Sequence, residues 1–174
     1  MINIRRAHEE GVDIELEKPW RDLGKYIEGR MKEAKYEAEL ALKFLEAGMA
    51  RNAAGKAFQA FKALLGALAA RHRDYLAQRY PGVKRLRSGK RVEYVDWLIA
   101  AVPTGLLLEL ARDLSALEGP ELIHFANVAL NLHEFQYNGL DRSGVLSRYA
   151  RISSVEEDVK ALAGYVAKKT AELA

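Results

Sequence analysis

Apolar residues recur along the first half of the chain at alternating spacings of three and four. After Pro19 this stripe contains Ile27, Met31, Ala34, Ala38, Ala41 and Leu45. Beyond Gly48 a second stripe contains Ala54, Phe58, Phe61, Leu65, Leu68, His72 and Tyr75. Such spacing places each set on one face of a helix. The pattern therefore predicts two long helices, one that begins at Pro19 and one that continues through Arg79. Because few residues separate them, we expect an antiparallel hairpin.

The second half of the chain predicts shorter elements. The sequence YPGVKRLRSGKR at 80–91 interrupts the apolar pattern and indicates an exposed basic loop. We expect further helices at about 92–101, 104–116 and 120–137. A last helix follows the NGLDRSG turn, and Ser154 with Glu157 predicts a capping box at its start. The fifth helix has apolar residues on two faces, which is typical of a central helix or of one shared with a partner chain.

The first 18 residues predict an arm that is separate from these helices. A turn or two of helix through IRRAHEE would end at Gly11, and extended VDIEL would follow. No strand pattern is present beyond residues 12–16. We therefore predict an all-α helical bundle built on a long antiparallel helix hairpin, with residues 1–18 as the arm and residues 19–174 as one domain. Gly55 and Gly66 oppose helix propensity, so we expect helix backbones to approach closely there.

Composition narrows the class of protein. The chain has 174 residues, of which 49% are hydrophobic and 29% charged, as in a single globular domain. It has no cysteine, which excludes disulfides, thiolate metal sites and a cysteine nucleophile. The N-terminus lacks the apolar core of a signal peptide, and no uninterrupted apolar stretch approaches the about 20 residues of a membrane helix. We expect a cytoplasmic protein with no membrane partner.

The net charge of +3 conceals a strongly basic segment, residues 71–91. This basic segment contains one acid, Asp74, and the basic residues Arg71, Arg73, Arg79, Lys84, Arg85, Arg87, Lys90 and Arg91. Such a concentration of charge indicates either a solvated surface or contact with the phosphates of a nucleic acid or nucleotide. Interleaved tyrosines, Tyr75, Tyr80 and Tyr94, could stack on bases. No recognised helix-turn-helix, zinc or RNA-binding motif accompanies them.

The sequence NLHEFQYNGLD, residues 131–141, holds the candidate catalytic residues His133, Glu134 and Tyr137. One interpretation is a small polar pocket in which His133 acts as a base. The alternative is a helix end whose polar groups satisfy each other and the turn that follows. His133-Glu134 begins like the zinc motif H-E-x-x-H, but Tyr137 replaces the second histidine, so we expect no metal site.

Other motifs are weaker. His72 lies on an apolar stripe and favours a core or interface histidine with one hydrogen bond. The segment from Gly82 to Lys90 departs from a phosphate loop, because six residues separate its glycines where four are needed and no strand precedes it. With no nucleophile elbow or dinucleotide-binding turn either, the sequence predicts no cofactor and carries no standard catalytic motif.

The sequence EKPWRDLGKYIEGRMKEAKYEAELALKFLEAGMARNAAGKAFQAFKALLGALA, residues 17–69, and LHEFQYNG in the fifth helix carry a family resemblance. They resemble the PaREP family of archaeal helical proteins over roughly residues 17–150. Through that family the chain is similar to HEPN domains, helical bundles that often dimerise. Many HEPN domains are ribonucleases or toxins, and others accompany minimal nucleotidyltransferases. The resemblance implies a homodimer through helical faces, an RNA or nucleotide ligand, and a nucleotidyltransferase as a further partner.

The resemblance does not supply a catalytic pair. Ribonuclease members carry an arginine followed four to six residues later by a histidine, a spacing that is found nowhere in this chain. His133 could substitute only if another segment or a second subunit brought an arginine to it. The leading hypothesis is a homodimeric nucleic-acid- or nucleotide-binding module. The alternatives are a ribonuclease or toxin–antitoxin component that uses His133, and a structural partner of another protein. The absence of cysteine and the many charges would suit a hyperthermophile.

Overall fold

The structure is a computed structural model that describes residues 14–174. The helical turn and the Gly11 stop predicted for the arm lie outside the described residues. The elements are α1 (Leu23–Glu46), α2 (Ala50–Arg71), α3 (Arg73–Arg79), β1 (Val83–Arg85), β2 (Arg91–Glu93), α4 (Tyr94–Ala101), a 3₁₀ turn (Thr104–Leu106), α5 (Leu107–Glu118), α6 (Glu121–Asn138) and α7 (Ile152–Leu173). The predicted all-α helical bundle is confirmed.

The predicted helix hairpin is formed by α1 and α2, which pack along each other. Gly48 lies in the turn between them with φ of 72°, a left-handed conformation that glycine adopts without steric cost. The start of α1 differs from the prediction. Pro19 lies in a turn, and Asp22 caps the helix, its side-chain oxygen accepting from the backbone N–H of Lys25 at 2.9 Å. The carboxylate of Asp22 accepts a hydrogen bond from a backbone N–H that has no partner within the helix. A proline side chain has no acceptor atom and cannot cap the helix in this way.

The centre of the bundle is α2, whose residues are almost all buried between Ala53 and Ala70. Its many alanines allow α1, α6 and α7 to pack against it from different sides. The apolar residues of α6, among them Leu122, Ala129 and Leu132, are buried against α2, α5 and α7. The fifth predicted helix is therefore central within the chain, as one of the two interpretations has it.

The atoms nearest to Gly55 and Gly66 belong to side chains, whereas we expected the backbone of a neighbouring helix there. A Cβ at Gly66 would lie 3.1 Å from the hydroxyl of Tyr26 and 3.3 Å from Cγ2 of Val102. That hydroxyl donates to the carbonyl of Ile99 at 2.6 Å and accepts from Arg30 Nε at 3.0 Å. A Cβ at Gly55 would lie 2.7 Å from the Gln136 side chain. Gly66 thus makes room for the buried side chain of Tyr26, and Gly55 for the half-buried side chain of Gln136.

Two of the predicted boundaries are wrong. The second helix breaks at His72, which has φ of −107° and ψ of 29°, so that α3 is a separate short helix. At α7, Arg151 is the N-cap residue, and Ser154 lies inside the helix, not at a capping box. Tyr149 donates to Asp158 at 2.5 Å and is itself buried, a tertiary anchor that holds the chain where α7 begins.

The expected basic loop at 80–91 contains a β-hairpin. Strands β1 and β2 pair antiparallel, with Val83 opposite Glu93 and Arg85 opposite Arg91. Each strand has only three residues, which is too short for an alternating pattern to stand out in the sequence. No single helix within residues 14–174 has the length and apolar character to cross a bilayer, although α4 and the segment from Thr104 to Glu118 pass that test as a pair bent by 105°.

Candidate functional site

The β-hairpin presents most of the cations of the basic segment. Arg85 and Arg91 are cross-strand partners, and both side chains are exposed. Arg87 and Lys90 are exposed in the turn between the strands, where Gly89 adopts a φ of 85°. Like charges directly opposite each other in a sheet repel. The hairpin therefore concentrates positive charge on one exposed surface, where a bound anion would relieve the repulsion.

The other face of the hairpin is anchored to the bundle. Val92 is buried, and the Lys84 ammonium lies 4.5 Å from the centre of the Trp97 ring of α4, a cation–π contact. The backbone N–H of Tyr94 also donates to the carbonyl of Gly82 at 2.9 Å. These contacts hold a strand pair that would be only marginally stable alone.

Arg73 is half-buried, and its guanidinium is occupied by carboxylates of the fold. Its Nε donates to Oδ1 of Asp96 at 2.7 Å and its Nη2 to Oδ2 at 3.0 Å, and it also bonds to Glu93. Hydrogen bonds to Asp96, which is almost completely buried, raise the pKa of Arg73 above its usual value. This bidentate pair joins α3 to α4, so we assign Arg73 a structural role.

Arg79 and the three interleaved tyrosines also have partners within the fold. Arg79 Nη2 donates to the hydroxyl of Tyr75 at 2.6 Å and its Nε lies 3.9 Å from Asp113. Tyr80 donates to the same Asp113 at 2.7 Å, and burial raises the pKa of Tyr80. The ring of Tyr94 packs 5.4 Å from that of Trp97. All three rings are half-buried, so each has less free surface on which a base could stack.

The other cations of the basic segment have no ion pair with any residue from 14 to 174. They are the exposed residues Arg71, Arg85, Arg87, Lys90 and Arg91. All except Arg71 belong to the hairpin and its turn. Of the predicted nucleic-acid-binding residues, these are the ones that the structure leaves available to an external anion.

His133 lies in packing near the end of α6. Its ring stacks on Phe58 of α2 with the centres 4.2 Å apart, and the ring of Tyr137 meets it edge-on at 5.2 Å. Its Nδ1 is buried and has no hydrogen-bond partner within the described chain. Burial, followed by the positive charge of Lys62, lowers the pKa of His133 below its usual 6.5. The imidazole is therefore neutral at neutral pH.

The other candidate catalytic residues form no hydrogen bond with His133: Glu134 turns to an arginine, and Tyr137 touches the imidazole only with the edge of its ring. Glu134 accepts from Arg148 at 2.6 Å, and Tyr137 is 64% exposed. Arg51 of α2 reaches the end of α6, where its Nε donates to the carbonyl of Gln136 at 2.9 Å and its Nη2 to that of Tyr137. It caps the helix. The three candidate residues do not converge on one reacting position, and the nearby arginine is occupied by backbone carbonyls.

The partners of Arg51 and His72 had no signal in the sequence. Arg51 is 85 residues from its acceptor in Gln136, so only the fold brings them together. His72 Nε2 lies 2.7 Å from Oε1 of Glu118, and Lys169 Nζ lies 3.3 Å from the other oxygen of that carboxylate. His72 thus has the single hydrogen bond expected of it. Within residues 14–174 no group of three or more histidine, aspartate or glutamate side chains is placed to hold a metal ion.

Comparison with protein-family models gives a match over most of the chain. A model of the archaeal PaREP1/PaREP8 family matches residues 29–162. The chain belongs to this family. No curated protein and no solved structure matches it. In this PaREP1/PaREP8 protein the matched range includes the basic segment and the polar sequence 131–141, and it ends within α7. The predicted resemblance to the PaREP family is thereby confirmed.

Proposed function

We propose that this PaREP1/PaREP8 protein is a HEPN-like, homodimeric module that binds nucleic acid or a nucleotide through the β-hairpin, without a standard catalytic motif. The observation that supports binding is the pair of exposed arginines, Arg85 and Arg91, opposite each other on an anchored hairpin. Two more cations, Arg87 and Lys90, lie in the adjoining turn. Phosphates would neutralise this surface and release their counterions.

Binding through phosphates has a measurable salt dependence. The available cations are Arg71, Arg85, Arg87, Lys90 and Arg91. If each contacts one phosphate of a single strand, the slope of log affinity against log salt is about −3.5. Affinity would then fall about 100-fold between about 50 and 200 mM salt. Fluorescence anisotropy with labelled single-stranded RNA measures this directly. Absence of binding to RNA, DNA and nucleoside triphosphates at low salt would overturn the proposal.

A double variant locates the site. Replacing Arg85 and Arg91 with glutamine removes two phosphate contacts, so the magnitude of the salt slope should fall by about 1.4. The matched control replaces two exposed cations outside the basic segment, Arg142 and Lys160, with glutamine. The control should bind as the wild type does. Equal losses in both variants would indicate attraction by net charge and contradict a site on the hairpin.

The ribonuclease alternative has weaker support. His133 stacks on Phe58, and Arg51, which reaches this end of α6, donates to main-chain carbonyls. A neutral imidazole is suited to act as a base, which is the one feature in favour of catalysis. We expect no cleavage of RNA by the purified protein. Cleavage that is abolished in His133→Ala, with the fold intact by circular dichroism, would establish the nuclease instead.

The structural-partner alternative relied on an apolar fifth helix. Because α6 is covered by α2, α5 and α7, its apolar faces are largely used within the chain. This favours the binding module over a partner protein docked on α6. The nucleotidyltransferase partner stays a prediction from the resemblance.

A further inference from the structure

The outward face of α1 carries a stripe of charged residues. Its members follow each other at spacings of three or four, which places them on one side of a helix: Lys25, Glu28, Lys32, Lys35, Glu39, Lys43 and Glu46. All are exposed except Glu39, which is half-buried. The opposite side of α1, with Tyr26, Ala34 and Ala41, is buried against the bundle. The stripe is thus the surface that α1 offers to other molecules.

The order of charges along this stripe, when it is reversed, is complementary to the original order at every position except the central Lys35. Placed against an antiparallel copy of α1, Lys25 lies opposite Glu46 of the partner and Glu28 lies opposite Lys43. In the same register Lys32 lies opposite Glu39. Each pair occurs twice, because a two-fold axis relates the copies. We propose that the occupant of this face is a second copy of this chain, packed α1 against α1 in this antiparallel register.

An apolar groove beside the stripe offers the hydrophobic surface that a stable interface needs. It runs between α1 and α7, has a volume of about 540 Å³ and is lined by Ile27, Met31, Leu42, Ala163, Ala167 and Ala171 among others. Leu42 is 38% exposed at its rim. Exposed ion pairs each stabilise by only about 0.2–1 kcal/mol, so burial of this groove by the partner provides most of the affinity. The charges select the register and the orientation.

The length of α1 suits such an interface. With 24 residues it is about 36 Å long, enough for several contacts along an antiparallel pair. The two-fold axis passes between Lys35 and Tyr36, so the two copies of Lys35 come close to each other. This proposal rests on the homodimer of the proposed function and specifies the interface through which the two copies associate. Its tests use no nucleic acid, so failure of RNA binding and failure of the dimer are separate results.

A charge exchange tests the register. Analytical ultracentrifugation should show a dimer for the wild type. Glu28→Lys creates like charges opposite Lys43 at two symmetric places, and Lys43→Glu does the same opposite Glu28. We expect each single variant to raise the dimer dissociation constant about tenfold or more. The double variant restores opposite charges, so its dissociation constant should return towards that of the wild type.

Matched controls reverse charges elsewhere. Glu109→Lys and Arg112→Glu make the same changes on α5, which does not pack against α1, and should leave the dimer unchanged. A monomeric wild type, or a dimer that tolerates Glu28→Lys, overturns the interface. Single variants that dissociate without recovery in the double variant overturn the register.

A cross-link provides an independent test, because the chain has no cysteine. Helices packed about 8–10 Å apart bring facing Cα atoms close to the about 4.4–6.8 Å that a disulfide spans. Lys35→Cys, near the two-fold axis, should form an intermolecular disulfide rapidly under mild oxidation. Glu109→Cys should not. If both variants cross-link at the same slow rate, the copies do not meet at α1.

Discussion

Two arginines of the basic segment, Arg73 and Arg85, carry the same charge in opposite surroundings. Arg73 donates two hydrogen bonds to the buried carboxylate of Asp96, whereas Arg85 is exposed opposite another arginine. Removing Arg73 would be costly because the buried carboxylate of Asp96 would be left without a compensating charge. An exposed, repelled charge is available for a ligand. The same residue type therefore serves the fold at one position and the proposed binding surface at the other.

His133 gives a prediction about pH at the scale of one residue. Because burial and the charge of Lys62 lower its pKa in the folded protein, the folded state favours the neutral imidazole. The neutral imidazole of His133 contributes its full stabilisation above the unfolded-state pKa of 6.5. This stabilisation is lost as the pH falls through the lower pKa of the folded state. The thermal stability of the wild type should therefore decline as the pH is lowered from neutral through 6.5.

His133→Gln separates this effect from the titration of other groups. The variant loses the stack on Phe58 and should be less stable at neutral pH, but its stability should decline less as the pH falls. Differential scanning calorimetry across this range measures both slopes. Parallel slopes would show that the imidazole titrates alike in the folded and unfolded states.

At the scale of an element, helix glycines differ in what surrounds them. Gly164 is exposed within α7 and an added Cβ would meet nothing within 4 Å, so Gly164→Ala should increase the free energy of unfolding by about 0.5–1 kcal/mol. At Gly66 the same methyl would crowd the hydroxyl of Tyr26, which is bonded to Ile99 and Arg30. Gly66→Ala should therefore give no increase. Urea denaturation compares the two variants, and equal stabilisation would contradict the crowding at Gly66.

The long elements were predictable because their signal is repeated over many turns. The helices α1 and α2 have 24 and 22 residues and their apolar stripes run along most of that length, so the helix hairpin could be inferred from spacing alone. The break at His72 could not, because the apolar period continues through it to Tyr75. The three-residue strands of the hairpin depend on anchoring by Trp97 and Val92, which are tertiary contacts. Local patterns carry no information about such contacts.

At the scale of the whole molecule, the sequence predicts where the charges concentrate but not which side chains contact each other. The sequence locates every cation of the basic segment but cannot separate Arg73, paired with Asp96, from Arg87, which is exposed. Likewise, His133, Glu134 and Tyr137 are close in sequence, yet Glu134 pairs with Arg148 while the rings of His133 and Tyr137 pack against each other. A helix turns about 100° per residue, so proximity along the chain does not assemble a site. Membership of the PaREP1/PaREP8 family identifies relatives without assigning a reaction.

Because Lys84 of the hairpin contacts Trp97, changes in the hairpin should alter the fluorescence of this tryptophan. An ammonium group 4.5 Å from the indole alters the field at the excited ring, and any ligand that draws Lys84 away changes the emission of that ring. The chain has only one other indole, Trp20, which precedes α1. Replacing Trp20 with phenylalanine leaves Trp97, beneath the arginine-bearing strands, as the single indole, which can be excited selectively over the tyrosines. Occupancy of that surface can then be followed in solution by its intrinsic fluorescence, with no dye attached to either molecule.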